Sequence, residues 1–173
     1  VRLFSMIVPK DRVQITVDCE GETVSCDDTV ADAFDPATVC RHDVPLAASD
    51  DDSVEVPLES LAWGRSGDKG DKANIGIIAR HPDFLPHIAS QVTAQRVAEL
   101  FRHFLAPGQD EPVECFYMPG PPALNFLLHE VLGGVGVASL RVDPQGKGYA
   151  QVLLAETVRV PRQLAEQHAL LTR

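Results

Sequence analysis

Residues 63–80 read WGRSGDKGDKANIGIIAR, and this segment decides the fold. An apolar run that ends at Trp63 and a second run from Asn74 to Arg80 are each typical of a β-strand. Between the two runs lie three glycines among alternating charges, a composition typical of a turn or loop. Because the second run is apolar on both faces, it predicts a strand in the centre of a sheet. The segment therefore predicts two strands joined by a glycine loop.

Downstream of this segment the sequence alternates between helical and strand patterns. Thr93 is suited to cap a helix over residues 94–105, which carry an apolar stripe at helical spacing. The further predicted elements are a strand at 113–118, a helix at 123–132, a strand at 137–142, a short helix at 149–155, a strand at 157–160 and a helical tail at 163–171. These elements predict an α+β fold, a ferredoxin-like two-layer sandwich with a mostly antiparallel sheet and helices on one face.

The N-terminal third of the chain has a different character. Residues 13–17 alternate in strand fashion, and Thr23-Val24 forms a short partner strand. Residues 25–53 lack periodicity and are rich in aspartate, alanine and proline. We expect four parts: residues 1–24 as the tail of a preceding domain or a strand appendage, 25–53 as an acidic linker, 54–161 as the ferredoxin-like domain and 162–173 as a C-terminal tail.

Composition excludes several classes of partner. The formal net charge of −10 argues against nucleic acid, which is bound through basic surfaces. No apolar run approaches the roughly 20 residues that span a bilayer, and no signal-peptide pattern is present, so we expect a cytoplasmic protein without a membrane partner. The four cysteines form no CxxC pair, so neither a metal site nor a cofactor is expected. Cys115 lies in an apolar run and is predicted to be buried and inert.

The glycine loop has two interpretations. Its glycines would let backbone N–H groups converge on an anion, with charge added by Arg65 and Lys69. Alternatively, Asp68 and Asp71 pair with these cations and the loop is a hairpin connection. The loop is not a Walker A motif, because it leads into a strand rather than a helix. Asn74 either caps the free backbone groups of the loop or faces a ligand.

Asn125 and His129 form the second candidate group. They lie four residues apart, so they share one face of the helix predicted at 123–132. They form either a hydrogen-bonded core pair or a ligand-facing pair. His129 is also the one candidate for a catalytic general base. Since no nucleophile can be placed beside it, the sequence leaves open whether the protein is an enzyme.

Three motifs resemble one protein family. They are LAWGRSGDKG at 61–70 together with ANIGIIAR at 73–80, then ALNFLL at 123–128, and SLRVDPQGK at 139–147. In this order they resemble the C-terminal domain of the acyclic terpene utilisation (AtuA-like) proteins over residues 54–161. Gly64 stands where alanine is more usual in the family.

The resemblance implies a ferredoxin-like fold and a larger N-terminal domain that precedes it. It also implies a role in bacterial breakdown of citronellol- and geraniol-type compounds, which proceeds through acyl-CoA thioesters, but it supplies no catalytic mechanism. The motif residues it carries over are Arg65, Ser66, Gly67, Asp68, Lys69, Gly70, Asn74, Asn125 and Arg141.

Two functional hypotheses follow. In the first, the glycine loop and the Asn125/His129 face bind a small molecule such as an acyl-CoA or a carboxylate. In the second, the domain is a non-catalytic assembly module, through which the chain contacts its own N-terminal domain or forms a homo-oligomer. Exposure separates the two hypotheses. Convergence on a solvent-open pocket favours binding, whereas burial and mutual pairing favour a structural role, for the same four residues: Arg65, Lys69, Asn74 and Asn125.

Overall fold

The computed structural model describes residues 6–26, 35–40, 42–48, 51–135 and 138–171. It separates into two compact units, residues 1–40 and residues 41–173. In the first unit, strands β1 (Ile15–Cys19) and β2 (Glu22–Cys26) pair in an antiparallel hairpin. The two strands predicted near residues 13–17 and 23–24 are therefore present, each displaced by one or two residues. All ten strand residues are exposed to solvent.

The second unit begins its regular structure with strand β3 (Ser53–Pro57) and the single-turn helix α1 (Leu58–Leu61). Strands β4 (Ala62–Lys69) and β5 (Lys72–Ala79) follow and form a hairpin. Only two residues connect them, and Gly70 takes the positive φ of +70° that such tight turns need. The prediction of a long glycine loop was thus wrong, because residues 64–69 are paired strand.

Helices follow the hairpin and cover the sheet. A 3-10 turn at Pro82–Phe84 leads into α2 (Leu85–Gln91). Helix α3 (Ala94–Phe101) ends four residues before the predicted position. The hydroxyl of Thr93 accepts a hydrogen bond from the N–H of Arg96, which confirms Thr93 as the N-cap.

The third and fourth strands of the sheet are β6 (Val113–Met118) and β7 (Ala123–Leu128). Strand β6 has its predicted bounds, but the helix predicted at residues 123–132 is wrong. A short apolar run fits a buried helix and a two-sided strand equally well, so periodicity does not separate them. Tertiary pairing decides here, since β7 lies between β5 and β6 and is hydrogen-bonded on both edges.

The strand predicted at residues 137–142 is also wrong. Residues 138–142 form an irregular loop, and Val137 lies outside the described residues. The Ser139 hydroxyl donates to the Leu132 carbonyl, and Leu140 and Val142 are fully exposed. The chain then forms helix α4 (Tyr149–Leu154), strand β8 (Thr157–Pro161) and helix α5 (Arg162–Gln167), near the predicted positions.

The second unit has an α+β architecture, as predicted. Its main sheet has the order β4-β5-β7-β6 with antiparallel neighbours throughout, and β3 pairs with β8 in a separate antiparallel ribbon. Helices α3 and α4 pack against one face of the main sheet. The core between them is built from side chains with 0% exposure, among them Ile75, Phe101, Phe126, Leu128 and Leu153. Among the described residues, no helix has the length and apolar character needed to cross a membrane.

Candidate functional site

Alternation along β4 divides the glycine-rich motif between the two faces of the sheet. Side chains of a strand point alternately to opposite faces. Ala62 and Ser66 are buried beneath the helices, whereas Trp63, Arg65 and Lys69 are exposed. Extended pairing also directs successive N–H groups in opposite directions, so the anion nest predicted from the glycines does not form.

On the helix-covered face, Ser66 joins the sheet to helix α4. Its side chain is 3% exposed. Its hydroxyl donates to the carbonyl of Lys147 over 3.1 Å and accepts from the N–H of Ala150 over 2.9 Å. Gly64 lies on the same face, where an added Cβ would come within 3.0 Å of Leu154 Cδ1. Ser66 therefore has a structural contact with the start of α4, and it is not among the residues that line the cavity on the open face described below.

The charges of the motif do not pair as expected. Asp68 lies 3.8 Å from Lys147 Nζ rather than beside Arg65, and an added Cβ on Gly67 would lie 3.0 Å from the same ammonium group. Lys69 Nζ donates to the carbonyl of Asp68 over 2.9 Å. The interpretation in which Asp68 holds Arg65 is therefore wrong.

The turn itself is attached to the loop after β7. Asp71 accepts a hydrogen bond from the N–H of Gly134 at its carboxylate over 2.8 Å. Its carbonyl oxygen accepts from the N–H groups of Val131 and Leu132 over 3.1 and 3.2 Å. Asp71 thus attaches the turn to the loop after β7, and it makes no ion pair with Lys69 among the residues that the structure describes.

The open face of the sheet brings together three of the predicted site residues. Arg65, Gly76 and Asn125 lie side by side on β4, β5 and β7. Asn74 Nδ2 donates to Asn125 Oδ1 over 3.1 Å. Gly76 leaves a gap in this row, since a Cβ added there would still lie 3.8 Å from its nearest neighbours. A cavity of about 310 Å³ occupies the gap, with Arg65, Asn74 and Asn125 in its lining.

Large apolar side chains border this cavity. Trp63 is 54% exposed, Ile78 44% and Met118 47%, and all three line the cavity. The guanidinium of Arg80 lies 4.7 Å from the centre of the Trp63 ring, a cation–π contact that fixes the indole. By contrast, Arg65 has no ion-pair partner in the described ranges. The face therefore offers an apolar surface beside an unneutralised guanidinium.

His129 lies outside this group. It follows the end of β7, and its Nε2 is 2.7 Å from Glu114 Oε1. The prediction that Asn125 and His129 share one helical face is wrong, because residues 123–128 are a strand and Asn125 hydrogen-bonds to Asn74 instead. The contact with Glu114 explains the position of His129, and no hydrogen bond in the described part of the chain joins its side chain to a serine, threonine or cysteine.

Arg141 is also separated from the motif. Its Nη2 donates to the carbonyl of Phe104 over 2.9 Å, and its guanidinium lies 4.8 Å from the centre of that ring. The Tyr149 ring stacks on the Phe104 ring, with 5.5 Å between the ring centroids. Burial raises the pKa of the Tyr149 hydroxyl, and the charge of Arg141 opposes that rise. Arg141 thus fastens the loop after β7 to the end of α3.

Sequence reasoning missed the apolar members of the open face. Trp63, Ile78 and Met118 were assigned to strands, but their common face becomes evident only from the strand register. Cys115 was predicted to be buried and is exposed on β6. Surrounding protein nevertheless desolvates its sulfur and raises the thiol pKa to about 11, which keeps it protonated at neutral pH.

A second cavity, of about 320 Å³, lies between α2 and β8. Gln91 lines it and is fully engaged, since its side-chain amide both donates to the carbonyl of Arg159 and accepts from its N–H, each over 2.8 Å. The amide thereby occupies the edge of β8 as a neighbouring strand would. This arrangement accounts for Gln91 as a structural residue and leaves the open sheet face as the candidate site.

Comparison with known proteins places the chain in a family. A family model, the AtuA ferredoxin-like domain, matches residues 56–159, which contain the whole main sheet and helices α2 to α4. Neither curated proteins nor solved structures gave a significant match. The match covers more than half of the chain and agrees with the antiparallel α+β architecture. The chain therefore belongs to the AtuA ferredoxin-like domain family.

Proposed function

We propose that the domain binds a small anionic molecule with an apolar chain, of the acyl-CoA or branched-carboxylate class, on its open sheet face. The observation that carries this proposal is the guanidinium of Arg65, which has no ion-pair partner among the described residues, at a cavity bordered by Trp63, Ile78 and Met118. Small-molecule sites combine an apolar lining with a few polar groups that fix orientation. The family resemblance adds a role in the breakdown of terpenoid acyl compounds as part of the same proposal.

Each part of such a ligand has a matching group on this face. Arg65 suits a carboxylate or phosphate, which its planar guanidinium binds through two parallel hydrogen bonds. The Asn74–Asn125 hydrogen bond leaves the Asn74 oxygen and the Asn125 NH₂ group for a ligand, as neither has another protein partner in the described chain. An apolar chain would lie over the depression at Gly76, against Trp63 and Ile78.

The size of the cavity limits which part of a ligand it can hold. A volume of about 310 Å³ lies at the lower end of the roughly 300–1,000 Å³ typical of small-molecule sites. It accommodates a branched acid or the acyl end of a thioester, with any CoA nucleotide outside the cavity. We therefore expect the acyl chain and its carbonyl or carboxylate to supply most of the recognition.

Calorimetric titration with a branched acyl-CoA and with its free acid tests the proposal. Replacement of Arg65 by glutamine removes the charge but keeps a polar side chain. A hydrogen bond to a charged group contributes about 1.5–3 kcal/mol, so R65Q should weaken binding roughly tenfold to a hundredfold. The matched control is Lys69→Gln, on the same strand and also exposed, which should leave the dissociation constant unchanged within about twofold.

Gly76→Val provides an independent test that leaves every charge in place. Its branched side chain suits a strand and would fill the depression, so binding should be lost while the fold is retained. Binding that is unchanged in both R65Q and G76V would count decisively against this site.

The same exposed side chains support assembly as a second function. Trp63, Ile78 and Met118 present apolar surface that a partner chain could cover. Sedimentation velocity separates the two functions. A dimer that dissociates when Trp63 is replaced by serine, in a chain that binds no acyl ligand, would favour assembly, whereas a monomer that binds ligand favours the first proposal.

A further inference from the structure

Three side chains from two distant parts of the sequence meet beside the end of β5. His81 follows β5, Asp83 lies in the 3-10 turn, and His168 follows α5. One potential metal-ligating atom from each of them lies within 4.8 Å of the other two. Because residue 168 is so far from residues 81 and 83 in the chain, sequence spacing gave no signal of this cluster.

The geometry of the cluster is close to that of a tetrahedral metal centre. Zinc binds nitrogen and oxygen ligands at about 2.0–2.2 Å, so two tetrahedral ligands lie about 3.3–3.5 Å apart. His81 Nδ1 and Asp83 Oδ2 are 3.4 Å apart. The His81 and His168 rings have centroids 4.6 Å apart. His81 and Asp83 thus have the separation of tetrahedral ligands, and coordination through His81 Nδ1 would replace the hydrogen bond that this nitrogen accepts from the N–H of Asp83.

His168 provides an independent observation. Its Nε2 is shielded from solvent and has no hydrogen-bond partner in the described structure. Buried polar groups almost always have a partner, and a bound ion is one recognised partner for such a group. The next residue, Ala169, has a φ of +52°, which is unfavourable for a residue with a Cβ and ends α5 so that His168 is held at this place.

Packing alone accounts for only part of this arrangement. His81 and His168 both contact the Phe84 ring, at centroid distances of 5.9 and 4.7 Å. His81 also caps the 3-10 turn, because its Nδ1 accepts from the N–H of Asp83 over 3.3 Å. These contacts explain the position of the two rings, but they leave the buried Nε2 of His168 without a partner.

We propose that His81, Asp83 and His168 bind a divalent transition-metal ion of the zinc class. Two imidazoles and one carboxylate are a ligand set that zinc accepts, and a set of three leaves one coordination position open. Of the three ligands, His168 also lines a polar cavity of about 240 Å³. Water can complete the coordination, and the ion would fasten the C-terminal helix to the end of β5.

Titration of the untagged, chelator-treated chain with Co²⁺ alone, followed by displacement with Zn²⁺, tests the site. We expect one equivalent of Co²⁺ to give the intense visible bands of tetrahedral coordination, and Zn²⁺ to abolish them. Loss of an outer-shell partner weakens metal binding about 10- to 100-fold, so loss of a ligand in H168Q or D83N should weaken it by at least about 100-fold. Zn²⁺ should also raise the melting temperature of the parent chain and not that of these variants.

Two further variants keep the result interpretable. His81→Asn removes the imidazole but retains a side chain that can cap the 3-10 turn, so a loss of Co²⁺ binding with an unchanged melting temperature supports direct ligation. His103→Ala changes an exposed histidine outside the cluster and should bind Co²⁺ like the parent. The proposal is overturned if the parent binds no stoichiometric Co²⁺, or if H168Q, D83N and H81N bind it as tightly as the parent.

Discussion

The two faces of the main sheet use neighbouring residues for opposite purposes. On the covered face, Ile75 and Phe126 are fully buried beneath helices α3 and α4. On the open face, Trp63 and Ile78 are about half exposed and border a cavity with Arg65. Ile75 and Ile78 lie three residues apart on β5, so their side chains point to opposite faces. The motif at residues 63–80 therefore contributes to both faces, of which one builds the fold and the other presents a surface.

The difference predicts how substitutions should behave. Changes at covered positions should lower the free energy of unfolding and affect ligands only through folding. Changes at open positions should leave stability nearly intact and alter binding or association. Adjacent residues of β4 and β5 provide matched pairs for testing this separation.

The largest contrast is expected between Ile75→Ala and Ile78→Ala on β5. Ile75 is 0% exposed, and truncation of a buried isoleucine to alanine costs about 2–5 kcal/mol because a cavity remains. Ile78 is 44% exposed, so the same change should cost about 1 kcal/mol or less. Chemical denaturation of both variants measures the difference.

The two variants control for each other, because both replace isoleucine by alanine on the same strand. Equal losses of stability would mean that the open face is covered in solution, by another part of the protein or by a second copy. Sedimentation velocity at the concentration used for denaturation would then show whether a second copy of the chain covers this face.

A smaller contrast is expected between the adjacent residues Ser66 and Arg65. Ser66→Ala leaves the Ala150 N–H without its acceptor and the Lys147 carbonyl without its donor. Loss of a buried hydrogen-bond partner costs about 1–3 kcal/mol, so S66A should unfold at clearly lower denaturant concentration. Arg65→Ala should stay within about 0.5 kcal/mol of the parent. A reversed order would show that Arg65 belongs to the structural half of the motif.

The smallest effect on stability is expected for Cys115, which lies at the margin of the covered face. Its thiol pKa is raised from 9.0 to about 11 by desolvation. Between these two values the folded chain retains a proton that the unfolded chain has lost, so stability should decrease as pH rises through this range and be constant below it. Comparison of denaturation midpoints of the parent and Cys115→Ser from neutral to alkaline pH measures the effect. Parallel curves would show that the sulfur is fully hydrated.

Much of the fold was predictable where local signals were strong. The Thr93 cap and the bounds of β6 follow from capping and alternation. Three predictions of secondary structure were wrong, for different physical reasons. The glycines at 64–69 were interpreted as a loop, but these residues pair as strand up to the tight turn at Gly70. Residues 123–128 are apolar on both sides, and only their pairing with β5 and β6 selects a strand over a helix. Residues 138–142 have strand-like composition, but contacts of Ser139 and Arg141 hold them as a loop.

The candidate site was predictable only in part. Arg65, Asn74 and Asn125 were identified from motif composition, and they do come together on one face. Other residues of the family motifs make structural contacts instead, and the motif sequences alone do not separate them from the residues of the open face. They are Ser66, Asp68 and Arg141. Along β4, the face to which a side chain points depends on whether its position in the strand is odd or even. These positions could not be assigned while residues 64–69 were interpreted as a loop.

The ribbon of β3 and β8 has a consequence for the domain as a unit. Ser53 lies opposite Pro161 in this antiparallel pair, so the segment that contains the main sheet begins and ends at neighbouring positions. Paired residues of antiparallel strands lie only about 4.5–5.5 Å apart between their Cα atoms. The ribbon therefore closes the intervening segment into a loop whose two ends are held side by side. Helix α5 continues directly from this junction and belongs to the same unit, because its Ala165 is fully buried in the core.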